Sequence, residues 1–317
     1  MYVCIAPIPR GAERRHVFIG YRCCVSCVYI QHECTMPIDQ KRINGPDAST
    51  PYDIYIHSEV KEDEIQPGAP KRHDGRSNKE LRNIFVKTGI VSQAKGSAYI
   101  EMGDTKVICS VFDPREVPNK TGYCVQGELF CEFKFAPFSH RKRKLHQQDA
   151  EEKEYSSILQ RALEPAVCLQ EFPNFQVDVY ATVLDNGGSA LAAAIMAASL
   201  ALANAGVPMF GLVTASTVGI CDRTYLVDPT DAEENFCSTK AVPGTPDDHG
   251  IIVQAALPQH GQISEMFVIG SIDMDTIERS MDLLNDTHKD ICPILEQCLV
   301  KTVFKAFRPS GKRTDKK

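Results

Sequence analysis

The run from Ser189 to Ala205 constrains the fold more than any other stretch of this chain. Alanine and leucine dominate it, so it is a strong helix former, and it is apolar around nearly its whole circumference. Such a helix has no face to offer water and must be buried on several sides. Its small side chains allow a sheet to approach closely. Gly206 and Pro208 end it. Immediately before it stands Asp185-Asn186-Gly187-Gly188-Ser189-Ala190. A glycine pair at a helix start offers bare backbone N–H groups at the positive end of the helix dipole, where a phosphate would sit. A loop that holds phosphate for chemistry normally adds a cation. Ser189 and Ala190 occupy that place instead, so Gly187, Gly188, Ser189 and Ala190 read as the remnant of a phosphate loop.

Strand and helix patterns surround this helix. Ile84–Val86, Gly89–Val91, Ser97–Glu101 and Lys106–Val111 are rich in strand formers punctuated by Gly96, Gly103 and Asp104, which predicts a meander. A further strand is expected at Leu129–Phe135. A helix is expected at Glu151–Leu169, kinked at Pro165, with Ile158, Leu159, Ala162, Leu163 and Ala166 on one face. Then come a strand at Gln176–Leu184, the alanine-rich helix, and strands at Leu212–Ile220 and Thr224–Val227. A hairpin joins Gly250–Leu257 to Gln262–Ile269 through His260-Gly261, and a long last helix runs from Met274 to Phe304, with a kink expected at Pro293. This order predicts an α/β (α+β) sandwich of two similar sheet-and-helix layers.

The 317 residues divide into four expected regions. Residues 1–35 carry five of the thirteen cysteines and no clean period, and read as a disordered extension or a segment upstream of the natural start. Residues 36–75, rich in Pro, Asp, Glu and Lys, read as an extended arm; residues 76–306 form the folded domain; residues 307–317 are a basic disordered tail. The other cysteines sit singly in apolar segments, as reduced buried cysteines do. Cys24-Val25-Ser26-Cys27 is a lone pair without a second pair at zinc-finger spacing, so no metal site is expected, and no cofactor. A formal charge of −6 argues against a free-standing, overall basic nucleic-acid binder while leaving room for local basic patches. No run is long and apolar enough for a membrane span, and no membrane partner is expected.

Five blocks, in order, carry a family likeness: Asp74-Gly75-Arg76 with Glu80-Leu81-Arg82; Ser97-Ala98-Tyr99 before Gly103–Val107; Glu154-Tyr155-Ser156 through Leu163; Asp185–Met209; and Val227-Asp228-Pro229-Thr230 with Glu233-Glu234. Through them the chain resembles the RNase PH superfamily of 3′→5′ phosphorolytic RNA-degrading proteins, and within it the ring subunits of the eukaryotic exosome. The resemblance implies the RNase PH fold, which is like that of domain two of ribosomal protein S-five, built of two ββαβα-type halves. It implies a six-membered ring of RNase PH-like subunits, OB-fold and KH cap subunits on one face, and single-stranded RNA threading a central pore. Nucleus, nucleolus and cytoplasm follow as its places of action.

Phosphorolysis needs a held phosphate, acidic groups for an ion or a proton, and a cationic grip on RNA. Active family members end the glycine loop in Gly-Thr-Arg, and Gly188-Ser189-Ala190 lacks that guanidinium. They also carry two aspartates six positions apart. Asp228 matches the first and Glu234 replaces the second, so these two are expected as degenerate remnants rather than working catalytic residues; as a plain turn residue, Asp228 also suits the bond to Pro229. The basic run Arg141, Lys142, Arg143 and Lys144, with Arg76 and Arg82, supplies the expected RNA contacts. A non-catalytic, RNA-guiding ring subunit is therefore the leading expectation, and an active phosphorolytic exoribonuclease, dependent on phosphate and Mg²⁺, is the alternative.

Overall fold

The structure, a computed structural model, describes residues 72–117, 122–140, 143–221, 224–239 and 248–307. The expectations for 1–35, for 36–71, for Arg141 and Lys142, and for the tail from 308 onward lie outside the described residues.

Two sheets are built around the alanine-rich helix. The first comprises β1 (Ile84–Thr88), β2 (Gly96–Met102), β3 (Thr105–Val111), the two-residue β4 (Arg115–Glu116), β5 (Glu128–Phe135) and β6 (Phe175–Asp185). Its order is β1-β2-β3-β6, with β4 antiparallel to the start of β6 and β5 running parallel to β6. The second comprises β7 (Thr214–Cys221), β8 (Thr224–Val227), β9 (His249–Leu257) and β10 (Gln262–Ser271), in the order β10-β9-β7-β8. The helices are α1 (Ala150–Leu163), α2 (Ala190–Ala205), α3 (Asp231–Thr239) and α4 (Met274–Phe307).

The burial expected of the alanine-rich run is met along most of its length: every residue of α2 from Ala190 to Leu202 is buried, and the last three are half-buried. The helix packs on β2 and β3 of the first sheet and on β7 of the second, with α1 and α4 closing its flanks. The closeness that alanine permits reaches a limit at Gly96. A Cβ there would lie 2.3 Å from the Ala201 carbonyl oxygen and 2.4 Å from the Ala205 nitrogen. Strand β7 is buried at all eight positions because it is covered on both faces. Ala215, with Ile251 and Val253 of β9, joins the main core around α2, while Val218, Ile220 and Ile252 pack with Leu284 and Ile277 of α4.

Four expectations are corrected. Gly89–Val91, expected as part of the strand meander, lies in the loop between β1 and β2. The helix expected to reach Leu169 with a kink at Pro165 ends at Leu163, and Pro165 lies within a 3₁₀ turn, Glu164–Ala166. Proline lacks the N–H that an α-helix would need there and suits a first turn. Helix α3 was not foreseen; its mixed sequence buries Phe236 and Cys237 with no clear apolar stripe. The body begins before residue 76 and includes part of the expected arm. Arg72 is buried, donates through Nη2 to the Asn78 carbonyl at 2.9 Å, and lies 3.7 Å from the Glu233 carboxylate.

Under α4 lies a buried polar seam. His288 is 2% exposed, with Nδ1 3.0 Å from the Thr214 hydroxyl and Nε2 3.5 Å from that of Ser216. Burial pushes its imidazole down from 6.5 to about 4.

Two outcomes are expected. Gly96→Val should lower stability by about 1–3 kcal/mol or more in urea denaturation, since the clash is with helix backbone. His288 is kept neutral in the fold, so its contribution is present above about 6.5 and is lost as pH falls toward about 4. H288Q should lack that acid-side loss, on the order of 3 kcal/mol, when unfolding midpoints are compared across the window.

Candidate functional site: a closed loop junction

Three loops meet at the N-terminus of α2: the β2–β3 turn at Gly103–Thr105, the glycine loop at Asn186–Ser189, and the segment from Asp228 to Asp231 between β8 and α3. Arg82 lies at their centre. Its Nε and Nη2 grip the Asp228 carboxylate at 2.8 and 2.6 Å, Nη1 donates to Thr105 Oγ1 at 3.1 Å and to the Gly187 carbonyl at 2.9 Å, and Nη2 also donates to the Gly188 carbonyl at 3.1 Å. These contacts use all five N–H donors of a guanidinium. The Thr105 hydroxyl donates in turn to the Gly188 carbonyl at 2.6 Å.

Asp228 is 1% exposed and adopts a left-handed backbone, φ 50°, which aspartate tolerates better than most residues. Its carboxylate also accepts the Arg82 backbone N–H at 3.1 Å, and its carbonyl accepts from Arg72 and Arg76, each at 3.3 Å. Burial alone would raise its pKa; the Arg82 hydrogen bonds and charge outweigh that and hold it below the usual carboxylate range. Asp228 is thus far more than a turn residue, and both of its oxygens are committed to Arg82.

The glycine pair differs from its sequence reading. A Cβ at Gly188 would lie 2.5 Å from the Pro229 carbonyl and 2.6 Å from the Asp231 nitrogen; one at Gly187 would lie 2.8 Å from Asp104 Cβ. The glycines are needed because backbone meets backbone. Their N–H groups were expected to face outward and wait for an anion. Instead, the Ser189 N–H is donated to Glu234 Oε1 at 2.8 Å, and the Gly188 N–H lies 3.4 Å from Asn186 Oδ1. Ser189 is itself buried, with φ 53°, and Ala190 is 8% exposed. A carboxyl of the protein therefore sits at the head of α2. Burial pushes Glu234 up from 4.5 to about 7, with the Ser189 N–H opposing that rise.

Beside the junction, Asn186 Nδ2 lies 3.2 Å from His140 Nε2 and 3.3 Å from Asp231 Oδ1. His140 stacks edge-on against Phe135, and Lys144 places Nζ 4.0 Å over the same ring while donating to Glu151 at 3.0 Å. A lone histidine after a strand gives no sequence signal, so His140 was missed.

The expected cationic residues separate into two groups. Arg82, placed in the RNA-binding set from sequence, is 8% exposed and has no donor left for a phosphate. Arg76 is half-buried and paired with Asp74, the Glu80 carbonyl and Asp228. Arg143 is exposed and Lys144 is partly so. The junction thus offers a saturated ion pair, a neutralised helix start and, at its margin, a short cationic lip.

Comparison with known proteins agrees with this architecture. The sequence profile of the 3′ exoribonuclease family, domain 1, matches residues 80–208. The chain is 37% identical over 285 residues to the mouse exosome complex component MTR3, covering 84% of this chain and 96% of that one, and 36% identical over 282 residues to the human protein of that name. An Arabidopsis thaliana protein described as exosome complex component RRP41-like is 37% identical over 72% of this chain. Among solved structures, rice Rrp46 superposes with a TM-score of 0.59 at 22% identity over 73% of this chain and 99% of its own. An Archaeoglobus fulgidus exosome with RNA bound to the active site superposes at 0.61 over 70% of this chain and 91% of its own. The fold is that of the RNase PH proteins. The chain belongs to the RNase PH superfamily, in its branch of MTR3-type exosome components.

Two variants probe the junction. Asp228→Asn should cost about 3–5 kcal/mol in chemical denaturation, because it leaves Arg82 buried without its counter-ion. For Glu234 the folded pKa lies above its ordinary value, so the folded state holds an extra proton between about 4.5 and about 7. Its contribution is full at the acid end and is lost as pH rises through that window. E234Q, which keeps the acceptor for Ser189 N–H, should remove that alkaline-side loss, at most about 3 kcal/mol, when unfolding midpoints at pH 5 and pH 8 are compared.

Proposed function

We propose that this chain is a non-catalytic RNase PH-like subunit of the RNA exosome ring, serving as structure and as an RNA guide in 3′→5′ RNA processing and degradation. One observation carries the reading: the groups that could serve phosphorolysis are spent on each other. Asp228 is saturated by Arg82, Glu234 takes the Ser189 N–H, and Ala190 stands where active family members have an arginine. An incoming phosphate would have to displace an internal carboxyl and would meet no guanidinium.

The partners of this reading are other RNase PH-like subunits in a six-membered ring, OB-fold and KH cap subunits, and single-stranded RNA in the pore. The relatives named as exosome components support it, and nucleus, nucleolus and cytoplasm are the corresponding places of action. RNA contact falls to the lip: Arg143 and Lys144, with Arg141 and Lys142 preceding them in sequence. The working division is an arm, then a folded body that takes in Arg72 and runs to the end of α4 at Phe307, then a basic tail.

An active exoribonuclease is the second reading. It is favoured by Glu234, whose carboxyl titrates near 7, where a general acid is most effective.

The test is direct. The chain, alone and in complex with RNase PH-like partners that are themselves inactive, is incubated with single-stranded RNA, inorganic phosphate and Mg²⁺. No nucleoside diphosphate should be released; release dependent on both additions would establish the second reading. In the assembled complex, reversing Arg143 and Lys144 to Glu should weaken RNA binding uniformly across sequences and flatten its salt dependence, by a slope of about 1 per lost phosphate contact.

A further inference from the structure

At the opposite end of α2 from the loop junction lies a cavity of about 330 Å³. The turn after β3, the 3₁₀ turn Leu169–Glu171, the start of β6 and the end of α2 enclose it. Phe112, Phe172 and Pro208 give it apolar walls. Ala205 and Gly206 are part of its lining, so the negative end of the α2 dipole is presented there. The last turn of α2 has no basic residue to offset that charge.

The rim is charged. Lys95 and Asp113 pair at 3.2 Å, and both are exposed. Glu171 is exposed too, and it has no ion-pair partner among the described residues. One carboxylate is therefore left over, beside two aromatic rings and a helix C-terminus. That combination fits a long side chain with an apolar stem and a positive head. The stem lies against Phe112 and Phe172 while the head meets Glu171. An anion would instead meet Glu171 and the negative helix end.

The chain itself carries such side chains within reach. Helix α4 ends at Phe307, and residues 308–317 bring Arg308, Lys312, Arg313, Lys316 and Lys317 against a single acidic residue, Asp315. Thr302 of α4 lies 2.6 Å from Thr88, and Thr88 is opposite Ala98 across β1 and β2. From Ala98 to Lys95, at the rim, is about 10 Å of chain. The last turns of α4 beyond Thr302 add about 7.5 Å. Ten extended residues reach about 33 Å, which covers the gap. A tether this short supplies an effective concentration on the order of millimolar, so contacts too weak to hold a free peptide can hold the tail.

We propose that this cavity is the docking site of the chain's own basic tail, residues 308–317, which sets a lysine or arginine against Phe112 and Phe172 and pairs it with Glu171. Docked there, the tail closes the cavity to basic segments of other proteins. The inference stands apart from the ring reading.

The experiment is hydrogen exchange by mass spectrometry on the full chain and on R308Q/K312Q/R313Q/K316Q/K317Q, whose changes all lie outside the folded body. Amides of residues 169–177 and 203–208 should exchange about threefold faster or more in the variant. E171K, at an exposed position, should do the same from the side of the cavity. Carbodiimide cross-linking of the full chain should join Lys312, Lys316 or Lys317 to Glu171 or Asp113 within one molecule. Equal exchange at both segments in the full chain and the glutamine variant, with tail cross-links scattered over other carboxylates, overturns the proposal. Cross-links that form only between isotopically distinct copies overturn the choice of occupant in favour of a second chain.

Discussion

The ion pair between Arg82 and Asp228 is the constraint on which the rest of the junction depends. One guanidinium ties the start of the first sheet to the end of β8, and through Thr105, Gly187 and Gly188 it also holds the turn and the loop that lie between. Both charges are nearly out of water, which is costly, and the cost is offset because every donor of Arg82 has an acceptor. Arg72 and Arg76 add their charge from outside by bonding to the Asp228 carbonyl. The two sheets, far apart in sequence, are thereby joined at the head of the helix that both of them cover.

That helix links stability to function. Its apolar circumference demands burial, and the close approach of sheet backbone at Gly96 supplies it. Its N-terminus carries the partial positive charge that would draw an anion. Glu234 reaches the Ser189 N–H and occupies that end from within. The same loops that could frame a phosphate site therefore form a closed, self-satisfied corner. Arg143 is exposed, while Lys144 is paired with Glu151.

Much of the fold was legible in the sequence. The meander, the hairpin at His260-Gly261, the alanine-rich helix and the long last helix follow from strong periodicity and clear turn residues. Helix α3 was not legible because its nine residues show no clean stripe, and Pro165 was misjudged because a proline can either bend a helix or start a new turn. For the site, the residue types at Asp228, Glu234 and the glycine loop were legible, yet their partners were not. Arg82 and Arg143 look alike in sequence; one is saturated inside the protein and the other is exposed, and no local pattern separates them.

The sequence by itself determined that a wholly apolar helix must lie between layers, that the glycine loop runs into Ser189-Ala190 with no cation, and that the superfamily is RNase PH. These are properties of composition, spacing and order, and they need no partner to be read. Only the tertiary structure decided that Asp228 is locked and that Glu234 fills the head of α2. Each of these depends on contacts between residues 45 to 146 positions apart, and burial and hydrogen bonding at that range are settled only when the chain has folded.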